Sequence, residues 1–261
     1  MRWWAALGLL PAVCAAWTNG PSGNADTDES WECADPPYST HDWIAEHAVY
    51  LLPEEERAWL IPHMAMYRLG TEAPDHDGIP EACGAPNQGY DDRRLGHSVE
   101  WAADWSGLVR DRAARRAEEE YEKAVVAWRE GRTADAAYYL GAMAHYIGDA
   151  AQYGHAVPFE RHHSDYEAWV GRRTDSFQAG YFESYIQLDG LVRRRPYTAV
   201  KILSRITAGG RGPVPWATRM DAMYADKGSQ EYMDAVGHSL NWGVNVLADV
   251  LHRFYLMEVN N

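Results

Sequence analysis

Residues 138–167 read YYLGAMAHYIGDAAQYGHAVPFERHHSDYE. The run up to Ala151 is built from Ala, Gly, Met, Tyr and Ile with almost no charge, the composition of a helix buried on every side. Within it His145 and Asp149 stand four apart, so both side chains leave one face of that helix. Withdrawing an imidazole and a carboxylate from water is costly unless they are paired or bind a metal. His155 follows Gly154, and His163 and Glu167 repeat the four-residue spacing on what reads as a second helix. A lone His-x-x-x-Asp is more often an ordinary hydrogen-bonded pair. Five such groups from one short stretch instead form the ligand inventory of a multinuclear zinc site, because imidazole nitrogens and carboxylate oxygens suit Zn²⁺ at roughly 2.0–2.2 Å.

Outward from this stretch the chain is read as all-α, a single-domain multi-helix bundle, with no linker or internal repeat to divide it. Ser39 or Thr40 can cap a helix through HDWIAEHAVYLL, which turns His41 inward as either a ligand or a capped core residue. Further helices are expected over 54–68, 104–131, 134–152, 164–172, 196–207, 216–226 and 229–257, with His97 near the start of another and no continuous strand pattern. Residues 70–92 are rich in Gly, Pro and Asp and read as a long functional loop. Asp75 and Asp77 there are candidates for a catalytic carboxylate or for plain turn-forming residues.

Residues 1–16, MRWWAALGLLPAVCAA, carry one positive charge, a short apolar run and small residues at the end, the pattern of a secretory signal peptide. Residues 17–261 would then be the mature domain, secreted or periplasmic, with Trp17 at its amino terminus. An N-terminal anchor is the competing reading. In an exported chain Cys33 and Cys83 form one disulfide or stay as two buried thiols. The formal charge of −14 keeps the chain soluble and weighs against general binding of polyanions, although bound cations reverse the sign locally.

STHDWI around His41, LGHSVEW around His97, YYLGAMAHYIGDAAQYGHA and HHSDYE together resemble the zinc-dependent phospholipase C and S1/P1-type single-strand-specific nuclease superfamily. The resemblance runs from Trp17 to the final helix. It implies three zinc ions in one cluster. His97, His145 and Asp149 would hold the first. Asp149 would bridge to a second, held by His41 and by the amino nitrogen and carbonyl oxygen of Trp17, and His155, His163 and Glu167 would hold the third. Asp75 would correspond to the carboxylate that orients or deprotonates the attacking water, with Asp77 in reserve.

The resemblance implies hydrolysis of a phosphodiester. Glu167 matches the phospholipase branch, whereas the nuclease branch more often has Asp there. The choline-contacting residues of the phosphatidylcholine-cleaving branch have no counterpart: the corresponding stretches are TNG after Trp17 and His76 after Asp75. The preferred reading is a phospholipase C acting on a phospholipid, with transient contact to a membrane surface. A nuclease releasing 5′-nucleotides from single-stranded nucleic acid and a zinc-binding protein without catalysis are the alternatives.

Overall fold

The computed structural model describes residues 38–75, 83–87, 96–102, 104, 106–210 and 213–261. Trp17, Cys33, His76 and Asp77 lie outside them, as does the whole proposed leader. The described residues are mostly helical: α1 (Thr40–Leu51), α2 (Glu54–Arg57), α3 (Met64–Glu72), α4 (Arg112–Arg129), α5 (Thr133–Ala151), α6 (His163–Gly171), α7 (Pro196–Gly209), α8 (Trp216–Met223) and α9 (Gln230–Phe254). The all-α fold class holds. None of these helices is long and apolar enough to cross a membrane.

α5 is the axis. From Ala136 to Ala151 only Tyr139 is not buried, and α1, α3, α4, α7 and α9 all pack on it. Burying side chains the size of Leu140, Met143 and Ile147 stabilises the fold by about 1.5–3 kcal/mol each. α4 returns antiparallel to α5 through a turn at Gly131, whose φ of 77° favours glycine. α3 approaches more closely still. A β-carbon on Gly141 would fall onto the Tyr67 carbonyl oxygen, and one on Gly70 onto the Tyr138 carbonyl oxygen. Backbone therefore meets backbone where α3 crosses α5.

α1 opens with a reciprocal cap. The Ser39 hydroxyl accepts from the His41 and Asp42 amides at 3.1 and 3.3 Å, and Asp42 Oδ2 accepts from the Ser39 amide at 3.1 Å. The cap also joins α1 to α3, since Thr71 donates to Asp42 and Ser39 donates to Glu72. A segment of irregular backbone at 186–195 is strapped along α9 by side chains one turn apart. The Gln187 amide donates to Asn241, the Asp189 amide to Asn245 and the Val192 amide to Asp249.

Several expectations are corrected. The helix expected over 54–68 is broken, because Pro62 lacks the N–H that a continuous helix needs and sits instead in a 3₁₀ turn, Ile61–His63. His97 does not start a helix. It leads into a two-stranded antiparallel ribbon, β1 (Val99–Trp101) and β2 (Leu108–Asp111), with a bulge between Glu100 and Trp101. Because β2 takes up 108–111, α4 begins at Arg112 rather than near 104. The stretch expected as a loop from 70 also starts with the end of α3 and a 3₁₀ turn, Ala73–Asp75, so Asp75 is held on regular backbone. Cys83 is disulfide-bonded, which leaves out the reading of two free thiols; its partner lies outside the described residues.

Candidate metal centre

The packing of α1, α3 and the β1 entry on α5 brings together side chains that are far apart in sequence. Asp149 stands in the middle, fully buried. Its Oδ2 is 2.9 Å from His97 Nδ1 and 3.4 Å from His145 Nε2, while its Oδ1 is 3.7 Å from His41 Nε2 and 3.5 Å from His155 Nε2. His155 Nε2 and His163 Nε2 lie 3.2 and 2.9 Å from Glu167 Oε1. Asp75 Oδ1 is 3.6 Å from His145 Nε2 and 3.7 Å from His97 Nε2.

Three groups have donor atoms within 4.8 Å of one another: His41, Asp75 and His145; His97, His145 and Asp149; His155, His163 and Glu167. Ligands around one tetrahedral Zn²⁺ at 2.0–2.2 Å are separated by about 3.3–3.6 Å, close to most of the spacings found here. The chain thus gathers His41, Asp75, His97, His145, Asp149, His155, His163 and Glu167 in one place. Asp75 stands among the donors, its carboxylate oxygen grouped with His41 and His145 at ligand spacing.

The supports are local. Gly148 leaves room for the His41 ring, because a β-carbon there would lie 2.8 Å from His41 Nδ1. His41 in turn stacks on His145 with centroids 3.8 Å apart. His145 Nδ1–H donates to the Thr71 carbonyl at 2.6 Å, which aims Nε2 at the cluster. Gln152 donates to Glu167 at 3.1 Å and its carbonyl caps the Gly154 amide. Sequence reasoning missed Thr71 and Gly148, because one acts through its backbone carbonyl and the other by lacking a side chain, and it missed Gln152 because its side-chain contact with Glu167 is made only by the fold.

The electrostatics suit cation binding. Burial works against the charge of Asp149, yet the imidazoles of His145, His155 and His97 hold its carboxyl below the ordinary carboxylate range. Burial lowers His41 to about 4, and burial with the neighbouring His41 lowers His145 well below the ordinary imidazole value. Both rings are therefore neutral at pH 7, with lone pairs to offer a metal. Burial opposes charge on His163 and Glu167 too, but each holds the other ionised, raising the imidazole and lowering the carboxyl.

The residues fit a metal cluster on a direct test. His41 Nε2, Asp149 Oδ1, His163 Nε2 and Glu167 Oε2 are buried polar atoms with no hydrogen-bond partner among the described residues. Buried groups of this kind normally find partners, and an ion is the partner this donor set suits. Among the other described histidines, His47 bonds the Trp43 carbonyl, His252 bonds Glu56 and His162 stacks on Tyr224.

A helical body with imidazoles and carboxylates converging at ligand spacing on its central helix defines a polynuclear metalloprotein. The chain belongs to the zinc-dependent phospholipase C family, whose model matches residues 40–201, a span that includes every side-chain donor from His41 to Glu167. Two solved structures share the fold. The alpha-toxin of Clostridium absonum is 19% identical with a TM-score of 0.55, over 85% of this chain and 65% of that one. The alpha-toxin of Clostridium perfringens from the avian strain SWCP is 17% identical with a TM-score of 0.56, over 85% of this chain and 64% of that one. The chain thus spans less than two thirds of either toxin structure. No curated protein sequence matches it.

Proposed function

We propose that the chain is a secreted phospholipase C that hydrolyses the glycerol–phosphate ester of a phospholipid at a three-zinc site. The observation that carries this is the gathering of three donor groups, two sharing His145 and the third reaching Asp149 through His155, within a chain of the zinc-dependent phospholipase C family. In this reading His97, His145 and Asp149 hold one ion. Asp149 and His41, with the amino nitrogen and carbonyl oxygen of Trp17, hold the second, and His155, His163 and Glu167 hold the third. The first 16 residues are a leader, and its removal frees the Trp17 amine.

A phosphodiester resists attack because it is already anionic. Zinc ions in such a site supply positive charge for its oxygens, lower the pKa of water towards 7 and stabilise the leaving alkoxide. The chain's own residues do the rest. Asp149, kept anionic by its imidazole neighbours, holds the donors in register. Asp75, one-tenth exposed at its side chain, faces the cluster and accepts the proton of the attacking water. Base catalysis by such a carboxylate is worth about 10²–10⁴ in rate. A water oxygen–phosphorus bond forms, the phosphorus–glycerol oxygen bond breaks, and the proton ends on the diacylglycerol hydroxyl.

Purified protein starting at Trp17 is assayed on phospholipid vesicles and on denatured DNA, each with and without a chelator. Chelator-sensitive release of diacylglycerol is the expected result. Turnover of DNA alone refutes the phospholipase reading in favour of the nuclease one, and activity on neither favours a zinc protein without catalysis. One residue added before Trp17 should lower zinc content and activity together; full activity in that variant refutes the role of the free amine.

A further inference from the structure

The turn between His155 and His163 carries a carboxylate that no family assignment above uses. Glu160 Oε1 lies 2.9 Å from His163 Nδ1, and both side chains are close to nine-tenths buried, at 13% and 10% exposed. A carboxylate only accepts, so His163 must donate from Nδ1. When the ring gives up its other proton to bind a metal, the lone pair is on Nε2, which lies 2.9 Å from Glu167 Oε1 and has no hydrogen-bond partner among the described residues.

The ring is held from two further directions. A β-carbon on Gly154 would fall 2.6 Å from His163 Nδ1, so the bare backbone of Gly154 closes over that edge of the imidazole. The turn itself is anchored one residue beyond Glu160, where the Arg161 amide donates to Asp221 of α8 at 2.8 Å. His163 is the first residue of α6, and no side chain caps that helix, so the Glu160 carboxylate also sits near the electropositive end of a helix of 9 residues.

We propose that Glu160 is a positioning residue for the ion at His155, His163 and Glu167: it fixes the tautomer and the angle of the His163 ring and makes Nε2 a stronger ligand. The inference rests on the three-zinc reading above. Carboxylate–histidine pairs of this kind around bound zinc typically change metal affinity by about 10–100-fold when broken. Glu160 touches neither the substrate nor the reacting atoms, so its effect reaches the reaction only through the metal.

The test is a zinc-binding measurement on the full mature chain. Wild type, Glu160→Ala and Glu160→Gln are equilibrated in zinc buffers of graded free Zn²⁺, and bound zinc per chain is counted by mass spectrometry. Glu160→Ala should release one ion at about 10–100-fold higher free zinc than wild type does, with the other ions unmoved. Glu160→Gln still accepts from Nδ1 and should recover most of that loss. A purely structural role would move the thermal midpoint of the zinc-free proteins, which is expected to be the same for all three.

Glu160→Ala binding every ion as tightly as wild type overturns the inference, and so does a Gln variant no better than Ala. If the Ala variant fails to fold, Glu160→Leu, which fills the space and cannot accept from Nδ1, takes its place: one ion weakened about 10–100-fold supports the inference, and every ion bound as tightly as in wild type overturns it. Wild type that binds no zinc overturns the three-zinc reading and this inference together. Wild type that binds zinc with no difference among variants overturns this inference alone.

Discussion

Gly148→Ala adds one methyl group where α5 faces the His41 ring. The new carbon would lie 2.8 Å from His41 Nδ1 and 3.4 Å from Cε1, so the ring must retreat by roughly 0.6–1.0 Å to reach ordinary contact. It cannot do so freely, because it is fully buried and stacked on His145 at 3.8 Å. The retreat would carry Nε2 off its present position 3.7 Å from Asp149 Oδ1. A misplacement of that size in an active-site frame costs about 10²-fold in rate, while overpacking of this kind costs about 1–3 kcal/mol in stability. Steady-state hydrolysis of a short-chain phospholipid gives kcat/KM, zinc counting gives the metal content, and urea unfolding gives the stability. A variant with kcat/KM within threefold of wild type and a full complement of zinc would refute the claim that Gly148 is there to seat His41.

Gly141→Ala should be among the most damaging single methyl additions in the chain, since its β-carbon meets the Tyr67 backbone and neither helix can yield; a loss of about 3 kcal/mol is expected from the urea midpoint, and an unchanged midpoint would contradict the crossing described. Glu72 gives a pH prediction. Burial and then the charge of Asp42 raise its carboxyl well above the ordinary value of 4.5. A group with a raised folded pKa contributes stability that is complete below its unfolded value and is lost as pH rises through its folded value. Wild type should therefore lose stability relative to Glu72→Gln as pH rises from the acid range, and parallel curves would dismiss the assignment. Asp249→Ala frees the Val192 amide and the Arg194 side chain, so the 186–195 segment should become a site of rapid limited proteolysis, with a stability loss of about 1–3 kcal/mol. Cleavage rates equal to wild type would show that the strap does not depend on Asp249.

The helices that position the donors were legible where composition or periodicity ran long enough. α5 was visible from its Ala-rich, uncharged run, and α1 from its cap and apolar stripe. The ribbon after His97 was not, because β1 and β2 have only three and four residues and cannot show a two-residue period against a helical background. Its pairing rests on contacts across the turn, such as Arg110 to Glu100 at 2.7 Å. The strap at 186–195 left no local trace, since its backbone partners are side chains of α9 more than fifty residues further on. Glu160 was missed for a related reason: in sequence it is one more charge in a turn, and only the fold places its carboxylate on the far nitrogen of His163.

The crossing of α3 and α5 sets a tolerance as well as a contact. Asp75 lies just past the end of α3 and His145 one turn beyond Gly141 on α5, and the Thr71 carbonyl ties the two helices at His145. With Gly70 and Gly141 face to face, no compressible side chain lies between them to act as a spring. Substitutions that swell or shrink the core elsewhere can tilt the outer helices, yet the gap between carboxylate and imidazole is gauged by main chain resting on main chain and is held against that tilt.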